Sequence, residues 1–581
     1  MVAVTNASYS GGSSDASAAT VTATAMRFDR HLGNPRDDAS AMSFRRSLDR
    51  DREAAFPAEA ATALDAWGLP RYYIPREFGG ELDGLLLPAQ LVRHVARRDL
   101  TAAVGHGKTF LGAVCAWVAR GPAAERMASI VSAGRPVSWG LTEQGRGSDL
   151  SSSATTASLG ADHIVLDGGK WPIGNATRGR AMTVLARTDS SPGPRALSLV
   201  LVDKERVDPS SLSYRPRLQL HGIRGADISG IDFTGTRVDA GALIGAPGQG
   251  LELVLKSLQL TRTLCSALSL GSADQAIDIV LNPESGVDLR PGKRTGQRAI
   301  VGRAIADLLF AEAVGYTGVR HIHSVPEEMA LESAFVKFLV PDAVDLMYRD
   351  LARVLGGGAQ VIGTGGTSRF EKASRDNRVV GIFDGNSVVN LNVMINEFPN
   401  IAKDDGGAAL EDVIASLGHP AHAERLEPGR LRLMTRRGSS LLRALPGLAD
   451  ALDDGRLPRQ TVAVATELAA ELGRVLDAVR STPRAARPPT DDFVVAERLA
   501  LLFGAAASIA VYVANRDRPM TGLWTDGAWL RAVLSRVASR LGLGSSGAGD
   551  IDELLQLAAA EHRGGLPVSL LPDWADAEVW R

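Results

Sequence analysis

The residues from Trp139 to Asp149 read WGLTEQGRGSD, and their types could hold a polar, partly anionic ligand. Gly145, Gly147 and Ser148 are small, so their backbone N–H groups can face an anion, and Thr142 and Ser148 add hydroxyl donors. Such a loop could bind the polar edge of a ring cofactor and its phosphates. The bare pattern also fits a glycine-rich connection between two strands, so it does not decide the question alone.

Two other patterns have structural explanations. The glycine-rich run at 356–366 lacks the Lys-Ser/Thr pair of a nucleotide-binding P-loop. His419, His422 and Glu424 have loosely metal-like spacing. A proline separates the two histidines, and no third ligand converges on them, so we expect a solvated loop and no metal site.

The composition limits the classes of protein that can carry these residues. The chain has 581 residues, enough for roughly four domains at about 150 residues each. Its 45% hydrophobic and 22% charged content is ordinary for globular proteins and excludes a disordered or fibrous chain. A net charge of −2 gives no basic excess for nucleic acid or an anionic membrane. Cys115 and Cys265, far apart, exclude a disulfide framework and favour a reducing cytoplasm.

The ends of the chain and its apolar runs predict no membrane segment. Residues 1–25 are small and polar, without the basic start and apolar stretch of a secretory signal, and predict a disordered tail. The longest apolar run, Leu499 to Ala514, is shorter than the roughly 20 residues that span a bilayer. We therefore expect a helix packed among other helices and no membrane insertion.

Hydrophobic periodicity divides the rest of the chain into four parts. Residues 26–134 are helical, with apolar residues at spacings of three and four between Phe110 and Ala119. Residues 135–242 show strand-length segments bounded by turn residues and predict an antiparallel β domain. Residues 243–403 contain helical patterns long enough for a four-helix bundle, and 404–581 add a further helical domain. The fold class predicted is α+β, mostly helical.

The glycine-rich loop resembles the flavin-binding loop of the acyl-CoA dehydrogenases and acyl-CoA oxidases. Four further segments resemble that family in the same order, so that the likeness is collinear over roughly Arg71 to Asn400. These segments are HGIRGADISGIDFTGTRV (221–238), IGAPGQGLELVLKSLQLTR (244–262), LGGGAQVIGTGG (355–366) and SRDNRVVGIFDGNSVVNLN (374–392). Together they are specific, whereas none would be so alone.

The resemblance implies a central β barrel, a C-terminal four-helix bundle and an FAD enzyme that removes two hydrogens from an acyl thioester. A carboxylate takes the α-proton while the β-hydrogen leaves as hydride to flavin N5. In many members this base is the Glu of a Y-E-G-T segment, eight residues after an Arg-Asp pair. Here Arg375-Asp376 leads to Asp384 at the same spacing, so the resemblance assigns Asp384 as the base. Its side chain is one methylene shorter than Glu.

The resemblance also implies the other site residues, position by position. Gly356 and Gly357 would contact FAD from the neighbouring subunit, and Gly385 would donate its N–H to the thioester oxygen. The remaining cofactor positions implied are Trp139, Leu141, Thr142, Gly147, Ser148, Pro172, Ile173, Gly174 and Asn386. The substrate positions implied are Ser148, Gln259, Thr261, Arg262 and Gly385.

Departures from the family pattern bear on the reaction and the assembly. The dehydrogenases' W-I-(T/S) segment reads Pro172-Ile173-Gly174 here, so the indole and the hydroxyl that would bond flavin N5 are absent; the run Lys170 to Gly174 is closer to the oxidases' K-W-W-P-G. The 404–581 domain could cover the surface that a second dimer occupies in tetrameric relatives, which predicts a homodimer. The electron acceptor would be an electron-transfer flavoprotein or molecular oxygen, and the acyl group would be carried by CoA or an acyl carrier protein.

Two other functions are compatible with the sequence. One is a flavin-dependent monooxygenase on the same fold, which the changed surroundings of flavin N5 would allow but a carboxylate at Asp384 argues against. The other is a non-catalytic scaffold that has lost FAD, which Pro172 and Gly174 favour and the loop from Thr142 to Asp149 opposes.

Overall fold

The computed structural model describes residues 12–580 except 192, 293–294, 364–365, 404–407, 419–424, 484, 486, 519, 545–546 and 572–574, with side chains from residue 20 onward, residue 548 aside. The chain is mostly helical and begins with a helical domain. Its helices are α1 (Gly12–Leu32), α2 (Phe44–Arg52), α3 (Ala58–Trp67), α4 (Leu86–Arg98), α5 (Leu100–Ala119) and α6 (Pro122–Ser132). The side chain of Asp99 caps α5 by accepting a hydrogen bond from the backbone N–H of Thr101.

The prediction of a disordered tail over residues 1–25 is wrong at its C-terminal end. Residues 1–11 lie outside the described residues, but α1 begins at Gly12, and Ala25 and Phe28 are fully buried. The carboxylate of Asp29, in the same helix, forms a buried ion pair of 2.8 Å with Arg98 of α4. This pairing and the buried apolar side chains hold α1 on the domain, and its alanines favour the helix.

The central sheet has eight strands and is mixed and open, which corrects the expectation of an antiparallel barrel. Its strands are β1 (Val137–Gly140), β2 (Thr156–Leu159), β3 (His163–Gly174), β4 (Ala181–Arg187), β5 (Leu197–Asp203), β6 (Leu212–Arg215), β7 (Ile228–Asp239) and β8 (Leu243–Ile244). The order is β6-β7-β3-β2-β4-β5-β8, with β1 also on β4, and no pairing among the described residues joins the two ends.

Strands β1 and β2 both run parallel to β4, which explains why the sheet is mixed. β1 pairs with residues 181–184 of β4, and Thr156 of β2 pairs with Arg187 further along the same strand. Residues 141–155 therefore form a long loop, the β1–β2 excursion, between two strands that both pair with β4. The alternating sequence pattern had predicted only antiparallel neighbours. The predicted cofactor loop lies in this excursion.

The bundle and the C-terminal extension share one hydrophobic core. The bundle helices are α7 (Gly250–Leu281), α8 (Thr295–Ser324), α9 (Met329–Leu355), α10 (Ser368–Asn377) and α11 (Ser387–Ile401). The extension contains α12 (Leu410–Ser416), α13 (Ser440–Arg443), α14 (Leu445–Asp450), α15 (Arg459–Ser481), α16 (Thr490–Asn515), α17 (Ala528–Arg540), α18 (Ala548–Arg563) and α19 (Ala577–Trp580). The rings of Phe335 in α9 and Phe503 in α16 stack with their centres 4.6 Å apart.

Two of these helices, α7 and α16, are long and apolar enough to cross a membrane by length and composition alone. Their most apolar windows are 94% and 78% buried inside the fold. Core packing therefore accounts for the apolar run at Leu499 to Ala514.

Candidate functional site

The excursion between β1 and β2 is anchored by the buried carboxylate of Glu143. Its Oε1 lies 2.7 Å from Nζ of Lys170 in β3 and accepts hydrogen bonds from the hydroxyls of Ser153 and Thr155. Burial alone would raise the pKa of Glu143, but these hydrogen bonds and the Lys170 charge lower it to about 2. Glu143 thus holds both ends of the loop in place. The sequence motif did not indicate this positioning role.

The tip of this loop presents free donors to solvent. Gly147 and Ser148 are exposed, and within the described part of the chain neither their backbone N–H groups nor the Ser148 hydroxyl has an acceptor. The Thr142 hydroxyl instead donates to the carbonyl of Pro172 over 3.0 Å. The structure thereby joins the two predicted cofactor segments, 139–148 and 172–174.

Two further predicted cofactor positions are less open than expected. The side chain of Ile173 is buried in the core, so only its backbone can reach a ligand. Leu141 is also buried, and its carbonyl accepts a hydrogen bond from Lys170 Nζ at 3.3 Å. Trp139 is half-buried in β1, opposite Thr183.

Gly174 faces a side chain from the helical domain. A Cβ at this position would lie 3.0 Å from Cδ and Cε of Lys108 in α5. Lys108 therefore fills the place of the side chain that Gly174 lacks, and it was not found by sequence reasoning. The close approach to Gly174 is the only feature that points to Lys108, because a single lysine on an apolar helix has no recognisable sequence pattern.

Asp384, the predicted base, lies between α10 and α11 in a left-handed conformation with φ of +56°. Its carbonyl accepts a hydrogen bond from Arg262 Nε at 3.1 Å, and its Oδ2 accepts one from the Cys265 thiol at 3.6 Å. Among the described residues, no nitrogen of Lys, Arg or His lies within 4.0 Å of its carboxylate. The half-buried carboxylate is thus held in place but has no ion-pair partner.

Two buried cations hold the backbone on either side of Asp384. Nζ of Lys337 donates to the carbonyls of Val380, at 2.6 Å, and Gly385, at 3.2 Å. Burial lowers the pKa of Lys337 to about 8. Burial likewise lowers the pKa of Arg262 to about 10, although the Asp384 charge opposes the shift. Gly385 has φ of +99°, and its N–H has no acceptor among the described residues.

An apolar cleft opens beside this segment, between α4, α5 and α7. Thr261 and Cys265 of α7 line it, Phe383 borders it, and Lys108 is the one cationic side chain among its described lining residues. The other lining residues are Val92, Ala103, Val104, Gly107, Leu111, Leu264 and Leu268. Because Cys265 contacts Asp384, a chain lying in the cleft would have one end beside that carboxylate.

Two predicted site residues have other contacts, and two more lie apart from the cleft in sequence. Asn386 caps α11, its side-chain oxygen accepting a hydrogen bond from the N–H of Val389 at 2.9 Å. Gln259 donates to the carbonyl of Arg432 in the extension at 2.6 Å instead of facing an open pocket. Gly356 and Gly357 lie exposed at the end of α9, at a distance in sequence from the other site residues.

No group of three or more His, Cys, Asp or Glu side chains that could hold a metal ion is present in the part of the chain that the structure describes. The cluster of His419, His422 and Glu424 lies outside the described residues. The two cysteines, Cys115 and Cys265, are both free and buried.

The helical domain, mixed sheet and helical bundle form the fold of the acyl-CoA dehydrogenases. An acyl-CoA dehydrogenase from Bacillus anthracis, solved in complex with FAD, superposes with a TM-score of 0.66 at 17% identity, over 95% of this chain and 96% of that one. The butyryl-CoA dehydrogenase of Megasphaera elsdenii gives 0.56 at 19% identity, over 67% of this chain and 98% of that one. The first of these similarities includes the extension.

The sequence comparisons find similarity to the same family. Residues 138–236 match the acyl-CoA dehydrogenase middle domain and residues 248–397 its C-terminal domain. A probable acyl-CoA dehydrogenase of Mycobacterium leprae, FadE25, is 27% identical over 60% of this chain and 89% of its own length. The human mitochondrial short-chain specific acyl-CoA dehydrogenase is 24% identical over 61% and 85%. Residues 138–236 and 248–397 therefore match domains of the acyl-CoA dehydrogenase family, which confirms the resemblance indicated by the motifs, and FAD is the cofactor of that family.

Proposed function

We propose that this protein catalyses the FAD-dependent α,β-dehydrogenation of an acyl thioester, with Asp384 as the base. The observation that carries this proposal is the carboxylate of Asp384 beside the apolar cleft, which has no ion-pair partner among the described residues. The neighbouring N–H of Gly385 has no acceptor in the same part of the chain. Removal of a proton next to a carbonyl requires a carboxylate as the base and a hydrogen-bond donor for the carbonyl oxygen.

The residues of the β1–β2 excursion fit FAD. Its exposed tip offers the free N–H groups of Gly147 and Ser148, which suit a pyrophosphate, and a hydroxyl from Ser148. We infer that Trp139, Leu141 and Thr142, together with the backbone of Pro172 to Gly174, would hold the ring edge. The bound cofactor would supply the hydride acceptor for the reaction.

The chain's own residues account for the proton transfer. The acyl chain would lie in the cleft beside Thr261 and Cys265, with its thioester oxygen accepting from the Gly385 N–H. Asp384 would then remove the α-proton as negative charge develops on that oxygen. The Gly385 N–H and the nearby cations Lys337 and Arg262 would stabilise this charge beside the apolar cleft.

The backbone at Asp384 would let its side chain reach the α-proton although it is one methylene shorter than that of glutamate. Its left-handed φ of +56° is uncommon for a residue other than glycine and costs on the order of 1 kcal/mol. Two side chains of α7, Arg262 and Cys265, hold its carbonyl and its carboxylate from the same helix face. We infer that this strained, doubly held backbone compensates for the missing methylene.

The partners are proposed from the same features. Gly356 and Gly357, with the exposed Val361 and Ile362 beside them, would meet a second copy of the chain and its FAD in a homodimer. The electron acceptor would be an electron-transfer flavoprotein or molecular oxygen, and either CoA or a carrier protein would bear the acyl group. We propose a cytoplasmic location from the two unpaired cysteines.

The test is anaerobic absorbance of the FAD-loaded protein during titration with saturated acyl-CoA. Bleaching of the flavin band without added reductant would support dehydrogenation. A protein that takes up FAD but is not bleached by saturated thioesters of either CoA or a carrier protein would reject it. Failure to take up FAD would favour the scaffold alternative.

A further inference from the structure

The C-terminal extension carries a basic loop, residues 432–437, on the surface next to α7. Between Arg425 and Arg443 the sequence has six arginines but one acidic residue, Glu427, whereas the whole chain has a net charge of −2. The exposed residues of this loop are Arg432, Leu433, Met434, Arg436 and Arg437. Leu433 is 46% and Met434 is 49% exposed, so two large apolar side chains lie in water between the arginines.

Contacts on both sides hold the 432–437 loop in one position. Leu431, which precedes it, is fully buried. The carbonyl of Arg432 accepts a hydrogen bond of 2.6 Å from Gln259 of α7, and the hydroxyl of Thr435 donates to Glu397 of α11 over 2.6 Å. A loop that is fixed in this way presents a preformed surface, which loses little conformational entropy when a partner binds.

The loop lies beside the proposed site. Gln259 is one turn before Arg262, whose Nε holds the carbonyl of Asp384 at 3.1 Å. One turn before Gln259, on the same face of α7, Leu255 is 39% exposed and extends the apolar part of the surface. Leu255 and residues 432–437 together form the docking patch. A partner on the docking patch would therefore lie next to the segment that carries Asp384.

Two arginines of the docking patch have no acidic partner in the described part of the chain. No carboxylate oxygen there lies within 4.0 Å of the guanidinium of Arg432 or Arg436, and Arg432 donates to two backbone carbonyls. The nearby carboxylate of Glu327 is paired with Arg430 at 2.9 Å. The docking patch therefore combines unpaired positive charge with exposed apolar area, and its partner should offer both acidic and apolar groups.

Three kinds of partner differ in how well they match this combination. A second copy of the chain would bring the same positive charge against it in a two-fold contact, because such a contact joins identical patches. The phosphates of free CoA would pair with the arginines but would leave Leu433 and Met434 in water. A protein helix with acidic and apolar side chains on one face would cover both kinds of group.

We propose that the docking patch binds an acidic acyl carrier protein, which delivers the acyl group to Asp384 as a thioester on its phosphopantetheine arm. The inference rests on the proposed function, because it takes Asp384 as the base that acts on the thioester. It selects the carrier protein over CoA as the bearer of the acyl group. The arginines would speed the encounter with an acidic protein and orient it, and the apolar side chains would pack against its helix.

The experiment measures docking separately from turnover. A fluorescently labelled acyl carrier protein of bacterial fatty-acid synthesis, with its phosphopantetheine arm but no acyl group, is titrated with the FAD-loaded protein and followed by anisotropy. We expect saturable binding that weakens as the salt concentration rises. Arg432→Glu/Arg436→Glu and Leu433→Ser/Met434→Ser should each weaken it about tenfold or more. Arg206→Glu reverses an arginine that is 67% exposed after β5, and this control for net charge should leave binding nearly unchanged.

A second measurement shows whether docking serves the reaction. Anaerobic bleaching of the flavin is compared for saturated acyl groups of increasing length, each carried by CoA or by the carrier protein. The variant Arg432→Glu/Arg436→Glu should lower kcat/KM for the carrier thioesters about tenfold more than for the CoA thioesters. Equal losses for the two carriers would overturn the inference.

The remaining outcomes separate the inference from its alternatives. Absence of binding, or binding that no variant of the docking patch weakens, would overturn the inference. Cosedimentation with phosphatidylglycerol vesicles that depends on the docking patch, without carrier binding, would assign the patch to a membrane instead. If CoA thioesters bleach wild-type flavin but the carrier protein does not bind, the inference alone fails. If the carrier protein binds through the docking patch but no thioester bleaches the flavin, the proposed function fails instead.

Discussion

The thiol of Cys265 donates to Oδ2 of Asp384 across 3.6 Å. Burial and the neighbouring Asp384 charge both raise the pKa of this thiol, so it stays protonated and acts as a donor. Arg262, one turn earlier on α7, holds the carbonyl of the same aspartate. One helix therefore fixes both the backbone and the side chain of the proposed base.

Removing this thiol should slow the reaction more than it weakens the fold. In Cys265→Ala the Asp384 carboxylate loses a donor worth about 1 kcal/mol, so the anaerobic rate of flavin reduction should fall about fivefold to tenfold. Cys265→Ser should restore most of the rate, because its hydroxyl can donate. Stopped-flow absorbance gives the rate, and an equal loss for the serine variant would contradict the donor role.

Gly385→Ala should reduce activity sharply. Its φ of +99° is unfavourable for alanine, and the new Cβ would lie 3.1 Å from Nη2 of Arg262. The turn must shift and move the N–H proposed for the thioester oxygen, with a loss of about 100-fold or more in kcat. Gly235→Ala, at φ of +57° with open space around it, is the control for backbone strain alone. Equal activity of both variants would contradict this role.

Glu143→Gln should destabilise the protein and weaken its uptake of FAD. The substitution leaves Lys170 buried without its partner, at a cost of about 3–5 kcal/mol in the free energy of unfolding. Part of this loss should return in the double variant Glu143→Gln/Lys170→Met. Denaturant melts and FAD titration provide the measurements, and unchanged FAD affinity would show that the β1–β2 excursion does not form the cofactor site.

The effect of Glu143 on stability also depends on pH in a defined direction. Its pKa in the folded protein is about 2, below the ordinary value of 4.5, so its stabilising contribution is present above pH 4.5 and is lost as the pH falls from 4.5 towards 2. The difference in unfolding free energy between wild type and Glu143→Gln should therefore shrink across this interval. A constant difference would place the stabilising interaction elsewhere.

The extension should unfold together with the bundle. Asp307 of α8 is buried and bonded in a bidentate ion pair, at 2.9 Å, by Arg536 of α17. Phe335 and Phe503 stack across the same boundary. We expect one shared calorimetric transition for these parts, lowered by Arg536→Met, which leaves the Asp307 charge unpaired. The exposed pair Arg480–Asp477 offers a control, Arg480→Met, with almost no effect. A separate transition for the extension would contradict this expectation.

Local pattern was enough to predict much of the fold. The apolar spacing between Phe110 and Ala119 indicated the helix that the structure contains, and strand-length segments indicated the sheet. The prediction of purely antiparallel pairing was wrong because pairing direction depends on where β1 and β2 meet β4, which no local pattern encodes. Closure of the sheet into a barrel is not confirmed. Likewise, the burial of Ala25 results from contacts with distant elements, not from its own sequence segment.

From the sequence, site residues could be proposed only where they lie in a recognisable motif. The resemblance assigns Asp384 through its spacing to Asp376 and Thr142 through the glycine-rich loop, and both assignments stay predictions. Lys108, Cys265 and Lys337 were missed because they lie on three different helices and meet only in the folded chain. Gln259 was taken as a pocket residue, but its amide is bonded to Arg432, in an extension outside the segments that resemble the family.

The most direct test of the central claim compares wild type with Asp384→Asn in the anaerobic half-reaction. Asparagine tolerates the left-handed φ, so the variant should fold and bind FAD like the wild type. With a saturated acyl thioester that bleaches wild-type flavin, reduction of the variant should be slower by about 100-fold to 10,000-fold. Bleaching of both proteins at the same rate would contradict the assignment of Asp384 as the base.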